Sequence, residues 1–451
     1  MDAKNEGKRG MRSAKIWIAA LAAASGLWAG ETEHPIDIDD IEWYTPPQFL
    51  KNVPEKPPFP YGWNAIDTEW IYMRAIAMVA LDYNSFHQDA ESLRHVGNLD
   101  EYRRWDVRGA RAGVMGTLNF SRPVSYLFTC TINTWTKTYD SSKQDAYDIL
   151  DATVGIPVWS DDNRLRIGKM KEPIAMERLI GLVFEQTMER PMHEDALLRS
   201  RNIGIMFEDM LESRRGTWQI GYFNDWLDTS NGFMDNDMVY VGRATWLPVD
   251  DLKGSRGLVH LGMGLRYMDV RTGSVRYAVG PEDYFLPKWL DTGEIPASDT
   301  QTLNLEFTWL KGPFWFASEY TGTKVNSEGR DLWFDGWHAA VNWFITGDER
   351  GYDYHKGIVK RILPRKSLLD KGFGALELSA RYSTLDLDDG PVHGGKMDVF
   401  SAGLIWHPIR ETQFHLQWSH AKYTGWDVET RSEWGRSETD ILQFRWLLII
   451  D

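Results

Sequence analysis

From about residue 66 onward the chain is a succession of short stretches in which apolar and polar residues alternate, with charges in the middle of the polar face. In Gly374–Ser383, Leu376, Leu378, Ala380 and Tyr382 share one face, while Glu377, Ser379, Arg381 and Ser383 share the other. Leu303, Leu305, Phe307 and Trp309 oppose Asn304, Glu306 and Thr308. Phe414, Leu416 and Trp418 oppose Gln413, His415, Gln417 and Ser419, and Leu442, Phe444, Trp446 and Leu448 oppose Gln443 and Arg445. Turn-rich segments such as Asp388-Asp389-Gly390-Pro391 separate these stretches. No useful 3.6-residue period and no run of 18 apolar residues follows the first 30 residues, so the chain is expected to be all-β.

Two architectures accept such strands. A soluble sandwich or propeller buries the apolar face, whereas a transmembrane barrel turns it to lipid and keeps the polar face around an aqueous lumen. Glu377, Arg381 and Arg445 in mid-strand favour the barrel, because a tight protein core would have to pair each of them. At about ten residues per strand plus turns and loops, residues 62–451 suit an antiparallel barrel of about 16 strands. The composition agrees: Trp, Tyr and Phe make up 13% of the chain. Trp406, Trp418, Trp426, Trp434 and Trp446 are placed as an interfacial girdle would place them.

The N-terminus reads as an export signal. Lys4, Lys8, Arg9, Arg12 and Lys15 precede the short apolar run Ile16–Ala24, and small residues lead to a cut after Ala29. Residues 1–29 are therefore expected to be a signal peptide. Residues 30–61 hold seven of the 19 prolines and an excess of acids, and are expected to form an extended periplasmic leader that the barrel does not need.

Charge and chemistry narrow the function. Lys+Arg 50 against Asp+Glu 65 gives −15, which argues against a nucleic-acid partner. The single cysteine, Cys130, excludes an intrachain disulfide and a multi-cysteine metal site. The eleven histidines form no metal motif, and no nucleophile-elbow or zincin signature occurs, so neither enzyme nor cofactor is expected. Asp386, Asp388 and Asp389 read as a solvated acidic turn rather than a calcium loop. A secreted, tryptophan-rich carbohydrate-binding or glycan-degrading protein is the alternative, although it would have to bury Arg381 and Arg445.

The segment 164–204 carries a resemblance. Arg164-Leu165-Arg166-Ile167-Gly168-Lys169-Met170-Lys171-Glu172-Pro173 is followed by Glu177-Arg178, Glu189-Arg190 and Arg199-Ser200-Arg201-Asn202-Ile203-Gly204. With the Arg103-Arg104 strand start, Thr346–Arg350, Arg361–Pro364 and Gly394-Gly395, it resembles the phosphate-selective porin O and P family over about residues 100 to 451. The resemblance implies an outer-membrane barrel, usually a homotrimer, that passes small anions or other small hydrophilic solutes through a constriction formed by an infolded loop near 171–201. It implies phosphate as one candidate solute and contact with outer-membrane lipid. The final residues depart from the terminal aromatic usual in porins, ending Leu448-Ile449-Ile450-Asp451.

The residues expected on the anion path are Arg164, Arg166, Lys169, Lys171, Arg178, Arg190, Arg199, Arg201, Arg381 and Arg445. Across 169–201 six bases face six acids (Glu172, Glu177, Glu185, Glu189, Glu194 and Asp195), which reads as a mixed field. Arg381 is expected to point into the lumen, so that Arg381→Glu would lower anion preference with little effect on assembly.

Overall fold

A computed structural model of the chain describes residues 63–136, 145–160, 162–224, 226, 232–427, 432–433 and 435–451; the expected signal peptide and leader, and Trp434, lie outside the described residues. The dyad stretches are strands, and they close into one 16-stranded antiparallel barrel. In chain order these are β1 (Ile71–Gln88), β2 (Trp105–Leu118), β3 (Val124–Ile132), β4 (Tyr147–Pro157), β5 (Arg164–Met170) and β6 (Asn202–Met210). Next come β7 (Thr217–Phe223), β8 (Met238–Asp251), β9 (Gly257–Asp269), β10 (Asp299–Lys311), β11 (Phe314–Ser327) and β12 (Arg330–Phe344). The last four are β13 (Ala375–Asp389), β14 (Val392–Ile409), β15 (Thr412–Thr424) and β16 (Ser437–Ile450). Each strand pairs with the next. β1 closes the ring by pairing with β2 on one edge and, from Ala77↔Ile450 to Gln88↔Thr439, with β16 on the other. Closure leaves no free sheet edge, which a strand in hydrocarbon could not tolerate.

The faces follow the alternation. In β13, Glu377 and Arg381 point inward while Leu378 and Tyr382 are exposed on the outside. Leu416, Trp418, Leu442 and Trp446 are likewise exposed on the outer surface. Ring contacts such as Trp406–Phe414 and Phe414–Trp446 tie neighbouring strands together there.

Most connections at one end of the barrel are short turns, such as those at 312–313 and 410–411. Longer segments leave the opposite end, consistent with short periplasmic turns and long outer loops. Helix α1 (Ala90–His95) sits in the first of the long loops. Among the described residues, three segments fold into the lumen. Residues 171–201, with helices α2 (Met176–Leu179) and α3 (Met192–Leu197), enter from the long-loop end, as do residues 270–298. Residues 345–374 enter from the short-turn end. Gly264 makes room for the first segment: a Cβ there would lie 1.9 Å from the Ile174 carbonyl oxygen.

Candidate functional site

The inserts turn the lumen into a packed interior on one side. Met188 N–H of the 171–201 loop donates to Gln417 Oε1 on β15 at 2.9 Å, and Gln186 Nε2 donates to Asn342 Oδ1 on β12 at 2.9 Å. In the 270–298 loop, Asp283 accepts from Asn84 on β1 and Gln443 on β16. From the short-turn end, Arg243 on β8 donates to the carbonyls of Lys356 and Gly357, and the Arg350 guanidinium stacks 4.2 Å over the Trp315 ring. The inserts also touch each other. Arg350 Nη1 donates to the Phe184 carbonyl at 3.1 Å, and Met192 N–H donates to Glu282 Oε1 at 3.3 Å.

Charged wall residues hold this packing together. Arg445 makes a two-pronged bond to Asp82 at 2.8 and 2.7 Å and reaches Glu189 at 2.5 Å. Arg381 binds Glu282 at 2.6 Å and the Glu189 carbonyl at 2.7 Å. Arg266 holds Glu172 at 2.7 Å. Burial alone would raise the Glu189 carboxyl, but the guanidiniums of Arg108 and Arg445 overcome it and hold Glu189 down at about 2.

The ten expected path residues separate into groups. Arg381 and Arg445 face the lumen side of their strands but are 2% and 1% exposed, so they fasten loops instead of lining open water. The tolerance expected of Arg381→Glu is therefore revised: the substitution would set a second carboxylate against Glu282. Arg178 is also buried, binding Asp195 at 3.0 Å and the Leu198 carbonyl at 2.6 Å. Arg166 is 4% exposed and pairs with Glu208 at 2.5 Å. Arg164 shares its inward phase and is half-buried. Lys169 is a correction: it shares the outward phase of Leu165 and Ile167, because alternation through β5 places it opposite Arg166, Gly168 and Met170. Arg199 is exposed at the loop's end.

The remaining three gather on the other side of the lumen. Lys171 Nζ donates to the carbonyls of Leu179 and Ile180, each at 2.8 Å. Burial, with Arg201 and Arg190 adding, pushes its ammonium well below the usual lysine range. Arg190 pairs with Glu185 at 3.0 Å, and Arg201 straddles Asp151 with two contacts at 3.2 Å. All three are half-buried, and Lys171 lines a small cleft of about 50 Å³ together with Asp151, Phe184, Glu208, Gln219 and Lys356.

Two arginines that alternation does not assign to one face complete this cluster. Arg108 and Arg111 are three residues apart and would point to opposite faces of a regular strand. A bulge intervenes: Ala80 pairs with Gly109 and Leu81 with Val107, so Arg108 is the extra residue. Arg108 then reaches Glu189 in bidentate fashion at 2.6 and 2.7 Å, and its guanidinium lies 3.8 Å over the Tyr284 ring. Arg111, opposite inward-facing Met78, sits within electrostatic reach of Arg201, Arg108 and Arg190. Among the described residues Arg111 makes no hydrogen bond or ion pair, and it is half-buried.

Comparison with known proteins places this architecture. The family model of the phosphate-selective porin O and P matches residues 79–448. A curated relative, an uncharacterized protein of Caulobacter vibrioides, is 29% identical over 267 residues, covering 56% of this chain and 52% of that protein. The chain thus spans about half the length of that relative. Outer-membrane expressed OmpT of Vibrio cholerae shares the fold with a TM-score of 0.52 at 9% identity, over 86% of this chain and 100% of that one. A trimer form of in-vitro folded OmpT, from the same organism, gives 0.50 at 10% identity over 83% and 99%. A match over most of the sequence and a closed barrel around an infolded loop set the secreted glycan-binding alternative aside and point to an outer-membrane channel: the chain belongs to the phosphate-selective porin O and P family.

Proposed function

We propose that the porin passes small hydrophilic anions by passive diffusion along the β2–β7 side of the lumen, with residues 171–201 as its constriction. Arg111 is the observation that carries this reading. A lumen-facing guanidinium with no bonded acceptor among the described residues and three cations around it lowers the entry cost of an anion. The acids of the constriction loop do not cancel that field evenly. Glu172 and Glu189 are spent on wall arginines, and Asp195 on Arg178. Lys171, Arg190 and Arg201 remain beside Arg111, with Asp151 and Glu185 as local counter-charges. Phosphate, named by the family, fits this donor set as a multivalent oxyanion, because guanidiniums offer paired donors to its oxygens.

Export by residues 1–29, a periplasmic leader at 30–61 and a homotrimeric assembly in outer-membrane lipid belong to the same proposal. Planar-bilayer reversal potentials in asymmetric chloride and phosphate salts test it. Anion preference in both salts, reduced several-fold in Arg111→Ala, is expected; cation preference in the wild type overturns the reading.

A further inference from the structure

On the packed side, the constriction loop is held by carboxyl groups that have no cation of their own. Glu177 N–H donates to Glu319 Oε1 on β11 at 2.8 Å. Asn304 Nδ2 on β10 lies 3.4 Å from Glu194 Oε1, 3.4 Å from Glu319 Oε2 and 3.0 Å from Thr321 Oγ1. Two amide hydrogens cannot serve three acceptors fully. Glu177, Glu194, Glu319 and Asn304 are each 4% exposed or less. Glu177 Oε1, Glu194 Oε2 and Asn304 Oδ1 are buried without a hydrogen-bond partner among the described residues.

The neighbouring charges are committed elsewhere. Arg178 binds Asp195, Arg190 binds Glu185, and Arg381 on β13 binds Glu282 of the 270–298 loop. Glu306, next inward on β10, is matched by Arg243 and His260. His193 contacts Thr321 through Nδ1 at 3.0 Å and His338 of β12 through Nε2 at 3.1 Å. Burial, with Arg381 and Arg178 nearby, drops the His193 imidazole to about 3 and keeps it neutral. Three carboxylates in this space would be buried, mutually repelling and short of donors. A carboxylic acid proton supplies the missing donor and removes the charge.

We propose that Glu177, Glu194 and Glu319 form a proton-operated latch, which holds the α2–α3 part of the constriction loop to β10–β11 when protonated and releases it on ionisation in alkali. The inference rests on reading 171–201 as the constriction. Burial raises Glu177 to about 7 and pushes Glu194 upward despite Arg178. The latched state therefore binds more protons than the released state. Its stability is fully present below the ordinary glutamate value of 4.5 and is lost as pH rises through about 7.

Hydrogen exchange of residues 176–198 in the reconstituted porin, corrected for intrinsic rates, tests the latch without depending on conductance. Each unit of carboxyl shift changes an opening equilibrium about tenfold, so protection should fall at least about tenfold between pH 5 and pH 9. In Glu177→Gln/Glu194→Gln/Glu319→Gln, which keeps the carbonyl acceptors, adds neutral donors and leaves no latch carboxyl to ionise, protection should persist at pH 9. Heat-modifiable mobility confirms that the variant has folded, and the single Glu194→Gln replaces it if it has not. Equal protection at both pH values in the wild type overturns the latch, and so does an equal loss in the folded variant. Bilayer conductance over the same range reports on the channel reading: a wild type that never conducts counts against permeation, while the exchange result still decides the latch.

Discussion

Arg445 and Arg111 both point into the lumen, from the two strands that flank β1, and they meet opposite fates. Arg445 is 1% exposed and bound to two carboxylates and a carbonyl. Arg111 is half-buried with no bonded partner among the described residues and with other cations nearby. The wall from β9 round to β16 is covered by infolded loops whose acids reach its bases, and charge there acts as mortar. On the wall from β2 to β7 the loop acids reach Arg108 but leave Arg111 without a bonded partner among the described residues. An inward arginine thus stays unpaired only where no loop acid reaches it.

The largest expected effect breaks the packed side. Arg445→Ala leaves Asp82 buried without its partner, and removing one member of a buried pair costs about 3–5 kcal/mol. The folded, heat-modifiable species should be strongly depleted; normal recovery would mean that the packed wall tolerates unpaired charge. Arg381→Glu should fail in the same assay, since it faces Glu282.

Next in size is the outer face. Leu378→Arg puts a cation toward lipid, at about 2–4 kcal/mol near the midplane. Reduced insertion with unchanged selectivity among the molecules that do assemble is expected.

Arg111→Glu sharpens the other half of the comparison. Assembly should stay within about 0.5 kcal/mol of wild type, as for residues without committed partners, while the anion-to-cation permeability ratio falls several-fold. A folding defect without a selectivity change would place Arg111 on the structural side after all.

The smallest effect belongs to Lys169→Ala. Its outward phase on β5 predicts an unaltered reversal potential. A measurable drop in anion preference would show that Lys169 reaches the lumen despite the strand's alternation.

Arg381 and Arg445 do sit on barrel strands, as charge in mid-strand predicts, but buried ion pairs and not lumen water accommodate them. Their faces were legible, because alternation is a local property of an extended backbone. Their solvation was not, because Glu282 lies 99 residues from Arg381, and Asp82 lies 363 residues from Arg445. Arg108 and Arg111 escaped notice for a different reason: a one-residue bulge reverses the phase of everything beyond it, and its cause is pairing with β1. Counting six bases against six acids in 169–201 likewise could not show which acids the wall arginines would remove.

Sequence by itself determined an all-β barrel, the two faces of its regular strands and the family, because period-two patterning is set residue by residue and lipid demands a closed sheet. Only the tertiary structure decided which lumen charges are paired by loop acids and which are left without such a partner. That choice depends on where 171–201, 270–298 and 345–374 come to rest, and on Coulomb and hydrogen-bond pairings between groups far apart in the chain.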